Sequence, residues 1–123
     1  MSKLIFVVDD SQTMLMSIRA SLEMYGFRVE TADNGVNALD KLNTMKPDLI
    51  ITDVNMPRMG GMELIKALRV MSAFRFTPIL TLTTESESTK RDEAKRLGAT
   101  GWLVKPVPAA DLVKIIQQLV PGA

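Results

Sequence analysis

Four places in the chain join a polar, reactive side chain to the end of a short apolar run. Asp9-Asp10 follows Leu4–Val8, Asp53 follows Leu49–Thr52, Thr83-Thr84 closes Ile79–Thr83, and Lys105-Pro106 follows Gly101–Val104. Taken singly, an Asp after such a run is more often a turn former or a helix cap than a ligand. Together they offer three carboxylates, a hydroxyl and an ammonium. Three carboxylates against one ammonium leave a net charge of −2, and two like charges about 4 Å apart repel by about 4 kcal/mol at an effective dielectric near 20. One divalent cation restores neutrality. The chain has no His and no Cys, which removes imidazole and thiolate ligands, disulfides, Ser-His-Asp catalysis and any phosphohistidine of its own. Oxygen ligands favour Mg²⁺, Mn²⁺ or Ca²⁺. Mg²⁺ binds one or two carboxylates, keeps waters and also touches phosphate oxygens. The cluster therefore reads as a hard-metal site that tolerates a phosphoryl group once metal is bound. Lys105 can hold one phosphoryl oxygen as a point charge, and the Thr83 hydroxyl can donate to another.

These groups reach one place only if the runs that carry them lie side by side. Leu4–Val8, Arg28–Ala32, Leu49–Thr52, Ile79–Thr83 and Gly101–Val104 are short and rich in β-branched residues, so they read as strands. Helical patterns alternate with them. Met14, Ile18, Leu22 and Tyr25 mark one face; Val36, Leu39 and Leu42 a second; Leu64, Ile65 and Leu68 a third. Ala94 and Leu97 mark a weak fourth, and Leu112, Ile115, Ile116 and Leu119 a clear fifth. Ser11 can cap the first helix and Gly26 end it; Asn34-Gly35 turns into the second; Gly98 closes the fourth; Pro121-Gly122 stops the last. Five βα units in alternation, with strands buried on both faces, predict an α/β, flavodoxin-like fold: a five-stranded parallel doubly wound sheet of order 2-1-3-4-5 with five helices. In such sheets a ligand sits at the carboxyl ends of the strands, at the switch point between strands 1 and 3.

Length and charge narrow the rest. The 123 residues, 46% of them hydrophobic, suit a single domain with one core. A net charge of +1 gives no electrostatic case for nucleic acid or an anionic membrane. Leu4–Val8 is too short to span a bilayer and, with only Lys3 as a preceding charge, does not read as a secretory signal. A cytoplasmic location is the expectation.

The matching pieces Val7-Val8-Asp9-Asp10-Ser11, Asp53-Val54-Asn55-Met56-Pro57, Thr83-Thr84-Glu85 and Gly98-Ala99-Thr100-Gly101-Trp102-Leu103-Val104-Lys105-Pro106 fall in order. On them the chain resembles the receiver domain of bacterial two-component response regulators over essentially its whole length, most of all the single-domain chemotaxis regulators. The resemblance implies that Asp53 is the nucleophile that becomes aspartyl phosphate. It implies that Asp10, Asp53 and the Asn55 carbonyl bind Mg²⁺ (Mn²⁺ as a substitute), with Asp9 acting mainly through a metal-bound water. Lys105 would pair with Asp53 and later with the phosphoryl group. Thr83 would move toward the phosphoryl oxygens, Trp102 would be the aromatic coupled to that movement, and Asn55 and Glu85 would modulate dephosphorylation. The Lys105–Pro106 bond would be cis. The donor would be a histidine kinase, and a phosphatase a further partner. The chain is expected to be one receiver domain over residues 1–123, a monomer with no output domain after Leu119. It would be a signalling switch that phosphorylates and slowly dephosphorylates itself, and would signal by phosphorylation-dependent binding to a flagellar motor switch protein or another target. The alternative is a phosphorelay intermediate that passes the group to a histidine phosphotransfer domain.

Three positions depart from the family pattern. Trp102 stands where most relatives have Tyr, and indole only donates. Pro108 stands where a side-chain helix cap is common and cannot cap. Leu15-Met16 follows Thr13-Met14 where chemotaxis relatives carry Arg, and Met16, Ala20 and Met24 fall beside or opposite the core stripe. They read equally as an adaptable docking face or as scattered surface residues. The charged run Lys90–Arg96 reads as a solvated face; in this family helix 4, strand 5 and helix 5 form the usual output surface. Two rivals use related chemistry. A flavodoxin-type flavin carrier would need a phosphate-cradling loop where Asp9-Asp10-Ser11 would repel phosphate. An aspartate-nucleophile phosphatase would place its nucleophile after strand 1.

Overall fold

The β-branched runs form the five strands at the bounds read from sequence: β1 (Leu4–Val8), β2 (Arg28–Ala32), β3 (Leu49–Thr52), β4 (Ile79–Thr83) and β5 (Gly101–Val104). The computed structural model describes residues 2–84 and 86–123. Between the strands lie α1 (Gln12–Met24), α2 (Gly35–Leu42), α3 (Gly61–Arg69), α4 (Ser88–Leu97) and α5 (Ala109–Leu119), with a single 3₁₀ turn at Ser72–Phe74. The sheet is parallel, in the order β2-β1-β3-β4-β5.

Strand alternation sends side chains to opposite faces, and the core divides accordingly. Ile5, Val7, Leu49, Ile51, Leu80 and Leu82 pack with α1 and α5. Phe6, Val8, Ile50 and Ile79 pack with α2 and α3. Each fully buried Val, Leu, Ile or Phe is worth about 1.5–3 kcal/mol, so the central strands are held from both faces. The edge strands are not, contrary to the sequence pattern's uniform burial. Residues of β5 are half-buried or exposed, and β2 buries only Val29 and Ala32.

Three helical faces differ from the pattern. In α1, Leu15 joins Ile18 and Leu22 in the core, Met14 is half-buried, and Tyr25 is an exposed C-cap. In α2, Ala38 and Leu42 are buried while Val36 is exposed. In α5, Val113 is buried and Ile115 and Leu119 only partly so. In each case the helix is rotated by about one residue relative to the simplest stripe, because the sheet beneath decides which residues fit. Met16, Ala20 and Met24 are exposed, as their place on the helix suggests.

The caps form as their residue types dictate. Ser11 Oγ accepts from the Met14 amide at 3.2 Å, and Asn34 Oδ1 from the Asn37 amide at 2.9 Å. Gly98 ends α4 at φ +112°, a left-handed conformation that costs glycine little. Pro108 begins α5 without a side-chain cap; its carbonyl accepts from the Asp111 and Leu112 amides. Among the described residues no helix is long and apolar enough to cross a membrane.

Candidate functional site

The crossover order puts β1 beside β3, with β2 and β4 leading away on either side, so a crevice opens at the carboxyl ends of β1 and β3. Register aligns their ends. Val8 pairs with Thr52, and the Asp53 amide donates to the Val8 carbonyl at 2.9 Å. Asp9 and Asp53 therefore leave adjacent strands at the same level. On the far side Thr83 pairs with Val104, and the Lys105 amide donates to the Thr83 carbonyl at 2.8 Å. The Lys105–Pro106 peptide is cis.

Both inner carboxylates are held. Asp9, only 2% exposed, accepts from the Ser11 amide on Oδ1 at 2.9 Å and from Lys105 Nζ on Oδ2 at 2.8 Å. Asp53, 9% exposed, accepts from the Val54 amide on Oδ1 at 2.7 Å and lies 3.4 Å from Lys105 Nζ through Oδ2. Asp10 is exposed and completes the group: one oxygen from each of the three carboxylates lies within 4.8 Å of the others. The lysine sits closer to Asp9 than to Asp53, whereas the resemblance pairs it with Asp53. A compact ammonium on a flexible stem can bridge two carboxylates, and here it does. Burial by itself pulls the Lys105 pKa down. The Asp9 hydrogen bond and the charges of Asp53 and Asp9 outweigh it, so the net shift is upward.

One ammonium against three carboxylates leaves the rim negative. All donors are oxygens, one carboxylate is open to solvent, and the chain has no imidazole or thiolate to compete. The set fits a hard divalent cation.

The remaining predicted residues lie around this core. Asn55 is exposed two residues beyond Asp53. Thr83 is fully buried at the end of β4. Trp102 is half-buried on the neighbouring β5, where it pairs in register with Thr81, and it lines a groove of about 290 Å³ between α4 and β5. Glu85 lies outside the described residues.

Two supports were not read from the sequence. Thr52 Oγ1 donates to the Asp53 carbonyl at 2.9 Å. Gly61 donates its amide to the Val54 carbonyl at 2.9 Å, and a Cβ there would lie 2.2 Å from the Asp53 carbonyl oxygen. The start of α3 thus presses against the backbone that carries Asp53. The Gly60-Gly61 pair ahead of an amphipathic run was the available signal; it marks a place where backbone approaches backbone.

Comparison with known proteins agrees with this fold. Residues 5–117 match the family model of the response regulator receiver domain. The structure resembles that of the chemotaxis response regulator CheY4 of Vibrio cholerae, with 44% identity, a TM-score of 0.91, and coverage of 98% of this chain and 100% of that one. It also resembles the receiver domain of a sensor histidine kinase from Pseudomonas aeruginosa, solved with a magnesium ion coordinated in the active-site cleft. There the identity is 26%, the TM-score 0.89, and the coverage 97% of this chain and 98% of that one. Among curated proteins, the alkaline phosphatase synthesis transcriptional regulatory protein PhoP of Bacillus subtilis is 40% identical over 106 residues, 86% of this chain and 43% of PhoP. The chain spans about half the length or less of the curated relatives it matches.

Proposed function

The chain belongs to the response regulator receiver family, whose members accept a phosphoryl group from histidine kinases, and from that premise we propose that Asp53 is its phosphoacceptor. The observation that carries this reading is the position of Lys105, whose ammonium contacts both Asp9 and Asp53 at the rim where β1, β3 and β5 end.

In this reading Asp10, Asp53 and the Asn55 carbonyl would hold Mg²⁺, with Asp9 acting mainly through a metal-bound water. The cation, when bound, supplies the charge that lets an anionic phosphoryl group approach three carboxylates. The chain's own residues do the rest. A carboxylate oxygen of Asp53 forms a bond to phosphorus as the bond from phosphorus to the donor's imidazole nitrogen breaks, and the imidazole leaves with the electron pair. The Val54 amide fixes the carboxylate's orientation. Lys105 stays beside the transferred group and balances its charge, so catalysis is positioning and electrostatics. Thr83 and Trp102, on adjacent strands, are the proposed reporters. Phosphorylation changes output by favouring one of two arrangements of these residues. Asn55, two residues beyond Asp53, modulates hydrolysis of the acyl phosphate, a role the resemblance also gives to Glu85.

For output we propose phosphorylation-dependent binding to another protein in the cytoplasm, in chemotaxis control of a flagellar motor switch. The likeness to CheY4 over nearly the whole chain supports it. The alternative, a relay intermediate that passes the group to a histidine of another protein, is favoured by the likeness to receiver domains of histidine kinases. Phospho-dependent binding of a motor-switch peptide supports the first, and return of the group to a histidine phosphotransfer domain supports the second.

The test of the acceptor is direct. Incubation with Mg²⁺ and acetyl phosphate should add one phosphoryl group by intact-mass measurement, and beryllofluoride should change Trp102 fluorescence. Both effects should vanish in Asp53→Asn and in chelator. Phosphorylation that survives Asp53→Asn would overturn the assignment.

A further inference from the structure

Gly35 is the first residue of α2 and is buried. Its φ lies outside the left-handed region, so its backbone conformation is open to any residue. What forbids a side chain is space. A Cβ at this position would lie 2.5 Å from Met59 Cγ, 2.7 Å from Met59 Cβ and 2.8 Å from the Met59 carbonyl oxygen. A change of Met59 rotamer could relieve the first contact, but not the other two.

The same two residues are hydrogen-bonded. Amides in the first turn of a helix have no partner within the helix, and the Gly35 amide donates to the Met59 carbonyl at 3.0 Å. Asn34 caps the turn and so fixes the direction of that amide. Met59 ends a tight turn in which its own amide donates to the Pro57 carbonyl at 2.8 Å while Arg58, between them, has φ +69°. That is the rarer and strained form of a three-residue turn. The loop from Asp53 is thus tied twice, by Gly61 to Val54 at its base and by Gly35 to Met59 at its tip. Asn55 lies between the ties.

We infer that Gly35 is a positioning residue for the phosphoacceptor loop: the start of α2 clamps the strained Pro57–Met59 turn and thereby sets Asn55 and Asp53 for the cation and the phosphoryl group. The chemical part rests on the receiver reading above; the clamp rests on geometry alone. It makes the β2–α2 corner a place where a contact on α2 is felt at Asp53.

The test compares Gly35→Ala with Gly26→Ala in the full chain. Gly26 has φ +91° and no neighbour within 4 Å of a Cβ, so its substitution strains only its own backbone. Both variants should lower the melting temperature. In ¹⁵N–¹H spectra without metal, the Asn55, Met59 and Gly61 amides should shift in Gly35→Ala and stay in place in Gly26→Ala. With Mg²⁺ and acetyl phosphate, folded Gly35→Ala should incorporate phosphoryl about five- to tenfold more slowly, with the gap narrowing as Mg²⁺ rises. Gly26→Ala should keep the parent rate. Adding Met59→Gly to Gly35→Ala removes two of the three close contacts and should restore part of the rate. Parent spectra and rate in Gly35→Ala, or equal slowing in Gly26→Ala, would overturn the clamp. If Gly35→Ala does not fold, Asn34→Ala loosens the same turn without filling it. The Met59 and Gly61 amides should then shift and the rate fall about twofold, and unmoved amides would overturn the proposal. Should the parent chain take no phosphoryl group, the receiver reading fails while the spectra still decide the clamp.

Discussion

At the scale of single residues, the site is an arrangement of charges that would be unstable without one another. Asp9 and Asp53 are almost fully buried and share one ammonium. Removing one partner of a buried pair leaves an uncompensated charge, typically at a cost of about 3–5 kcal/mol. Lys105→Met is therefore expected to lower the unfolding free energy from urea melts by an amount in that range and to abolish phosphorylation by acetyl phosphate. The pH dependence has a definite sign. The folded-state pKa of Lys105 is raised above the ordinary lysine value, so its stabilising contribution is complete below that ordinary value. It is lost as pH rises through the raised one. Urea melts between neutral pH and strongly alkaline pH should show this loss in the parent and not in Lys105→Met. Gly61 is a second test at this scale. A Cβ 2.2 Å from the Asp53 carbonyl oxygen cannot be absorbed by a side-chain rotation. Gly61→Ala should cost about 1–3 kcal/mol and slow phosphorylation as well, because the displaced backbone carries the proposed acceptor.

At the scale of elements, some contacts hold the fold together without touching the chemistry. Arg69 at the end of α3 donates to the Gly98 carbonyl at 3.0 Å, to Phe74 at 2.7 Å and to Arg75 at 3.2 Å. It ties α3 to the end of α4 and to the 3₁₀ turn, and burial lowers its pKa. A hydrogen bond from a charged group contributes about 1.5–3 kcal/mol net. Arg69→Met should lower stability by about 2 kcal/mol in a denaturant melt while phosphorylation of the folded protein stays at the parent rate. Ser11 separates two roles within one residue. Its hydroxyl caps α1, and its amide holds Asp9. Ser11→Ala removes only the first, so it should cost about 1 kcal/mol and leave phosphorylation intact. Loss of the reaction in Ser11→Ala would show that the hydroxyl itself serves the site.

At the scale of the whole molecule, the site exists only in the folded chain. Asp9 and Lys105 stand 96 positions apart and meet at 2.8 Å. A cation bound there stabilises the native state by mass action, about 1.4 kcal/mol at ten times its dissociation constant. For a domain of this size that corresponds to a rise in melting temperature of a few degrees. Calorimetry with and without Mg²⁺ should show the rise in the parent and its loss in Asp10→Asn. An equal rise in both would place the cation elsewhere. β1 and β3, which carry the acidic residues, run between helices on both faces, so that part of the rim is positioned by a core that the chemistry never enters.

Much of this was legible in the residues themselves. Strand bounds, sheet order and the gathering of Asp9, Asp10, Asp53 and Lys105 follow from short β-branched runs in strict alternation with amphipathic ones. Local propensity and right-handed crossovers leave few other ways to bury them. Rotation of the helices was not legible. Leu15 displaced Met14, and Ala38 displaced Val36, because the shape of the sheet surface chooses between neighbouring residues of similar hydrophobicity. Nor could spacing tell that Lys105 would lie closer to Asp9 than to Asp53, since tenths of an ångström at the rim depend on how β1, β3 and β5 are set against one another. The glycines make the point most plainly. Gly35 reads along the chain as part of a turn and Gly61 as nothing in particular, and only the approach of Met59 and of the Asp53 carbonyl, both brought by the tertiary fold, turns an absent side chain into a requirement.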